Sequence, residues 1–221
     1  MAKRLAVLVA PALVILVGAA GFGGWAVITV EDLPDHGAAG RPLVLEFMVR
    51  QHGVTPLEGL RPRIEARSGN REVAVPAVAG KKPGHYSGRL VLPSPGSWTI
   101  TIHSGFGTSR STLMPIEITA SGAALARPPS EGDRGQRLFV AKGCASCHVH
   151  AGVNAEVVVD IGPELTHKRY QPDYLTRYLA DPAIAATNRD GPKMPNLGLK
   201  PTEIASLVAF LNAERQASSG H

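Results

Sequence analysis

With 221 residues the chain has room for one or two domains, and its residues are 44% hydrophobic but only 5% aromatic. Its 24 glycines and 18 prolines suit turn-rich and loop-rich structure and count against an all-helical bundle. The net charge of +5 does not imply nucleic acid as a partner, because residues 31–120 carry 10 basic against 8 acidic side chains, residues 131–221 carry 10 of each, and no basic stripe forms.

The N-terminus opens with Lys3 and Arg4 ahead of an uncharged run from Leu5 to Val30, which Glu31 and Asp32 end. As one helix these 26 residues would span about 39 Å, enough to cross a hydrocarbon core of about 30 Å with tilt. Trp25 would then lie at the outer interface, and Lys3 and Arg4 would hold the N-terminus in the cytoplasm. A cleaved signal is the rival: Leu5–Val17 serves as its apolar region and Gly18-Ala19-Ala20 as a small-residue cleavage site. Run length favours a retained single-pass anchor over residues 1–35. Either way, the rest of the chain is expected outside the cytoplasmic membrane of a bacterium.

From residue 36 the apolar period changes to two. Leu43–Arg50 has the β-branched and aromatic content of a half-buried strand. Further strands are expected at Arg61–Ala66, Glu72–Val78, Tyr86–Leu92, Ser97–His103 and Pro115–Thr119. Gly59, Gly69-Asn70, Lys82-Pro83-Gly84 and Pro93–Gly96 supply the turns. Six or seven short strands with no helix-period stretch predict an antiparallel, immunoglobulin-like β-sandwich over 36–120, with Trp98 in its core.

The stretches Val49–Pro56, Gly84-His85-Tyr86 and Leu92–Ile100 resemble small exported sandwich modules of the YtkA/FixH type, over about eighty residues. Such modules occur beside copper-handling and oxidase-assembly proteins, which raises a copper role. Its candidate ligands are His52, His85, His103, Met48 and Met114, but they form no compact motif. Met48 reads equally as a core filler. A docking or spacer module is the plainer expectation.

Residues 121–130 read as a linker. Ser130-Glu131-Gly132-Asp133 then offers a helix start, and the segment from 131 onward holds the chain's two cysteines in Cys144-Ala145-Ser146-Cys147-His148. C-x-x-C-H is the attachment signature of c-type haem. Two thiols one helical turn apart match two vinyl groups on one porphyrin edge, and the adjoining imidazole of His148 reaches the iron. Three other readings compete. A Cys144–Cys147 disulfide leaves His148 unexplained, and a thioredoxin-like pair lacks its βαβ context. A zinc site of Cys144, Cys147, His148 and His150 lacks separated ligand pairs. Downstream, Gly162-Pro163-Glu164-Leu165 marks a turn, Pro172–Ala180 a helix ended by Asp181-Pro182, and Pro201 onward a last helix carrying Ile204, Leu207, Val208, Phe210 and Leu211.

The order Gly135-x-x-x-Phe139, Cys144-x-x-Cys147-His148, Gly162-Pro163-x-Leu165, Met194-Pro195 and Leu207–Leu211 resembles the class I cytochromes c across residues 130–213. The resemblance implies an all-α haem domain over 131–221 with one covalent haem c. Cys144 and Cys147 would bind it, and His148 and Met194 would be the axial iron ligands. His150, His167 and Lys193 are lesser rivals to Met194. Pro163 would accept the His148 Nδ1 proton, Leu165 and Leu197 would wall the haem, and Gly135 and Phe139 would pack on Phe210. The expected function is one-electron transfer rather than enzyme catalysis, as a tethered shuttle or as a subunit of a respiratory or photosynthetic complex. Its partners would be redox proteins or membrane-complex subunits. The alternatives are a haem-based sensor with a labile Met194, or a copper-binding assembly module fused to a cytochrome.

Overall fold

The computed structural model describes residues 24–120, 123, 127–153, 159, 161–188 and 193–213. A β-rich N-terminal part is followed by a helical C-terminal part. The strands are β1 (Ala26–Val30), β2 (His36–Ala38), β3 (Pro42–Gln51), β4 (Thr55–Pro56), β5 (Arg63–Ser68), β6 (Arg71–Pro76), β7 (Val78–Ala79), β8 (His85–Val91), β9 (Gly96–His103), β10 (Arg110–Thr112) and β11 (Ile116–Thr119). One sheet runs β1-β3-β8-β7, with β4 on β3. The other runs β2-β11-β9-β5-β6, with β10 on β9.

The expected strands are present within a residue or two, and β2, β4, β7 and β10 are added as short pairings. The pairing is not purely antiparallel, since β2 runs parallel to β11 with His36 opposite Glu117. Alternation places Leu43, Leu45, Phe47 and Val49 of β3 inward against Ile64, Ile100, Ile102 and a fully buried Trp98. The Trp98 indole donates to the Ser94 carbonyl oxygen at 3.0 Å, so its one polar atom is satisfied where burial would otherwise penalise it. Met48 falls on the outward row of β3 opposite His85 and is half-buried, so it is not a core filler.

The membrane anchor requires correction. Ala26–Val30, the end of the uncharged run, is a strand paired antiparallel with β3, Ala26 opposite Gln51 and Val30 opposite Phe47. All five residues are buried. No helix among the described residues is long and apolar enough to cross a membrane. The Leu5–Val17 segment and the Gly18-Ala19-Ala20 site lie outside the described residues. The single-pass anchor, and the membrane localisation built on it, are therefore not retained. Of the expected linker, residues 121, 122 and 124–126 lie outside the described residues.

The helical part contains α1 (Glu131–Ala141), a 3₁₀ turn at Cys144–Ser146, α2 (Pro172–Ala180), a 3₁₀ segment at Pro182–Asn188 and α3 (Pro201–Asn212). Ser130 caps α1, its hydroxyl accepting from the Asp133 N–H at 3.1 Å while Asp133 accepts from the Ser130 N–H at 3.3 Å. α1 and α3 cross closely at Gly135, where an added Cβ would lie 1.9 Å from the Ser206 carbonyl oxygen. Phe139 and Phe210 meet beside this crossing with ring centroids 5.7 Å apart. The glycine permits the approach and the aromatic pair fills the space next to it.

The two parts are joined along β1. Lys142, buried at the end of α1, donates to the Glu31 carbonyl oxygen at 2.6 Å and to Glu203 of α3 at 2.7 Å. The Thr29 hydroxyl donates to the Lys142 carbonyl at 3.4 Å. Arg137 donates to the carbonyl oxygens of Asp35 and Pro34, and Arg134 pairs with Asp35 at 2.7 Å. Lys200 pairs with Asp32. One buried ammonium thus ties β1, α1 and α3 together.

Candidate functional site

The site begins where α1 stops. Lys142 closes the helix, Gly143 takes the left-handed conformation at φ 79°, and the chain re-enters a 3₁₀ turn at Cys144. The Cys147 and His148 N–H groups both donate to the Cys144 carbonyl, at 3.1 and 2.9 Å. This turn brings both cysteines and His148 to the wall of one cavity. The cysteines are not joined by a disulfide.

A second loop holds the imidazole. The Gly162 N–H donates to the Cys147 carbonyl at 2.9 Å, and the His148 Nδ1 lies 3.0 Å from the Pro163 carbonyl oxygen. A carbonyl only accepts, so Nδ1 carries the proton and Nε2 is left as the lone-pair donor. A Cβ on Gly162 would stand 2.5 Å from the His148 ring, so glycine is required for this clamp. Loop and ring fix each other.

The cavity measures about 720 Å³, within the range of about 300–1,000 Å³ usual for cofactor sites. Leu165, Leu175, Leu179, Leu207 and Leu211 supply much of its apolar lining, and the half-buried Met194 reaches it from the loop before α3. Burial pushes the Cys144 thiol up to about 12 and raises Cys147 as well, so both are neutral thiols at ordinary pH. Burial also raises the Tyr170 phenol, with Tyr178 and Glu164 adding to the shift. An apolar cleft with paired thiols and an oriented imidazole fits a haem c. Cys144 and Cys147 would hold it by thioethers, with His148 and Met194 as iron donors.

The other expected residues separate. Leu197 is half-buried but is not part of the cavity lining, so it does not wall this space. The wall is built instead by leucines of α2 and α3. His150 is turned away, packed in the core between Phe139 and Phe210 with centroids 5.5 and 4.4 Å distant. That removes it as an axial donor and breaks up the zinc set of Cys144, Cys147, His148 and His150. Among the described residues no group of three His, Cys, Asp or Glu side chains is placed to hold a metal ion. His167 is exposed and outside the lining, whereas Lys193 lines it. The histidines considered for copper are dispersed. His85 sits 3.0 Å from Glu31, His103 lies 3.6 Å from Glu65, and His52 reaches the cavity.

Residues 132–213 match the family of cytochrome c. This segment is similar to cytochrome c. The match lies in the helical part, behind the β-rich part, and supports a haem-based electron carrier there. No curated protein matches the chain. Among solved structures it is similar to trypsin-activated alpha-2-macroglobulin from Escherichia coli, at 13% identity and TM-score 0.36 over 42% of this chain and 6% of that one. It is also similar to the Lin-41 filamin domain, at 15% identity and TM-score 0.31 over 44% of this chain and 93% of that one. The ZirS C-terminal domain aligns at 12% identity and TM-score 0.31 over 54% and 86% of the two chains. Likenesses of this strength carry no argument about the β-rich part.

Several cavity residues escaped the sequence reading, three of them from outside the helical part. Trp25, His52 and Val54 come from the β-rich part, yet they line the same cavity as His148 and Met194. No local pattern marks them, because their role depends on how the two parts pack.

Proposed function

We propose that the protein is a one-electron carrier with a single haem c covalently bound by Cys144 and Cys147, its iron held between His148 Nε2 and the Met194 thioether. The observation that carries this reading is the His148 Nδ1–Pro163 contact at 3.0 Å, in an apolar cavity that also holds both cysteines and Met194. When bound, the haem supplies the one-electron ferric–ferrous couple. The Pro163 carbonyl orients the imidazole and raises its basicity. Met194 contributes a neutral, soft donor that favours the ferrous state and a high potential. The leucines of α2 and α3 keep water from the centre. With His148 and Met194 both holding the iron, substrate would have no place to bind there. The natural partners are redox proteins, met either as a shuttle or within a larger oxidoreductase. The β-rich part keeps its resemblance to YtkA/FixH-type modules on the stretches quoted above.

Carbon monoxide tests the ligand assignment. Wild-type ferrous protein should exclude it, while Met194→Ala should bind it and show a lower midpoint potential. An unchanged spectrum in Met194→Ala would remove Met194 as the ligand. Binding by the wild type would favour a haem sensor over a carrier.

A further inference from the structure

The edge of one sheet touches both segments that bear the axial donors. On the His148 side, a Cβ on Gly143, which immediately precedes Cys144, would lie 2.4 Å from Val27 Cγ1 and 2.9 Å from the Ile28 carbonyl oxygen. The motif is therefore pressed directly onto β1. On the Met194 side, the turn after β3 lies against the loop: a Cβ on the buried Gly53 would stand 3.6 Å from Pro195 Cγ. Between these contacts Trp25 and His52 form part of the cavity wall, with ring centroids 5.6 Å apart.

His52 is the described non-glycine residue with positive φ, at 53°. Left-handed backbone disfavours most side chains, and glycine would occupy it with less strain. The imidazole, although exposed on one side, lines the cavity, and the His52 N–H donates to the Trp25 carbonyl oxygen at 3.0 Å. That bond fixes the two cavity residues relative to each other.

We propose that the β1–β3 edge is a working part of the haem site, with Trp25 and His52 closing the Met194 face to water and to external ligands and so setting the reduction potential. The proposal rests on the haem reading above. The ferric centre carries one more positive charge than the ferrous, and water stabilises that charge. A wall that excludes water therefore raises the potential. Gly53, which follows His52, lies beside Pro195, so the same turn resists the loop movement needed to release Met194. The β-rich part is in this view a cover for the redox centre, not a spacer.

The test uses Trp25→Ala and His52→Asn in the full chain, asparagine being tolerant of left-handed backbone. Both variants should retain the wild-type content of covalent haem and show a more negative midpoint potential. Carbon monoxide, which the wild type excludes, should bind their ferrous forms, and Trp25→Phe should restore most of the wild-type behaviour. Haem-loaded Trp25→Ala and His52→Asn proteins with the wild-type potential and wild-type exclusion of carbon monoxide would overturn the proposal. Absence of covalent haem from the wild type would instead overturn the haem reading, and this proposal with it.

Discussion

Replacing Gly135 with alanine should destabilise the protein by about 3 kcal/mol, at the upper end of overpacking costs. The added methyl would sit 1.9 Å from the Ser206 carbonyl oxygen and 2.6 Å from Phe210 Cβ. Neither obstacle is the free end of a side chain: one is α3 backbone and the other is fixed to it. The helices must separate, which also loosens the Phe139, His150 and Phe210 cluster behind the crossing. Alanine's better helix propensity returns only about 1 kcal/mol, so the clash wins. Gly132→Ala in the same helix is the control. Its Cβ would meet only the Ser130 hydroxyl, at 3.9 Å, and it should be neutral or slightly stabilising. Denaturant unfolding of the two variants checks this, and equal stability of Gly135→Ala and wild type would contradict the close crossing.

Lys142→Met should cost about 3–5 kcal/mol, the range for removing one partner of a buried ion pair. The Lys142 and Glu203 side chains are only 4% and 6% exposed, so the carboxylate left behind has little access to water. Glu203 would keep its bond from the Lys200 N–H at 2.9 Å, which compensates only partly. The Glu31 carbonyl would lose its 2.6 Å donor at the same time. Adding Glu203→Gln removes the stranded charge while leaving an oxygen for the Lys200 N–H, so the double variant should recover much of the loss. Thermal unfolding of wild type, both single variants and the double variant gives the coupling directly. Strict additivity would mean that the two groups do not act as a pair. This pair is placed to influence the haem motif, because Lys142 stands two residues before Cys144.

The parts of the molecule legible in the sequence are those whose signal is local. Cys144-x-x-Cys147-His148 is read from spacing, α2 and α3 from apolar periodicity, and β3, β5, β8 and β9 from alternation between turns. β1 was not, although Val27-Ile28-Thr29-Val30 is as β-branched as any strand here. It continues an uncharged run without a break, and it is covered on both faces. Ala26, Ile28 and Val30 enter the sandwich core while Val27 and Thr29 meet Gly143 and Lys142, so no alternation survives. The short strands β2, β4, β7 and β10 owe their existence to their partners rather than to their own residues. The resemblance placed Pro163 and Leu165 at the cavity but put Leu197 there too, where leucines of α2 and α3 stand instead. No local pattern marks Lys142 as buried, because its partners Glu31 and Glu203 are distant in sequence. Trp25 and His52 read as an interface residue and a copper candidate, because the cavity they line is formed between two distant segments.

The covalent state of the cysteines tests the central assignment most directly. The full chain, expressed with a c-type maturation system, should show a mass increased by one haem, a haem stain that survives denaturation, and no titratable thiol. Cys144→Ala/Cys147→Ala should lose the stain. A wild-type chain at its unmodified mass, with two free thiols after the same expression, would contradict the haem site and the electron-transfer function proposed on it.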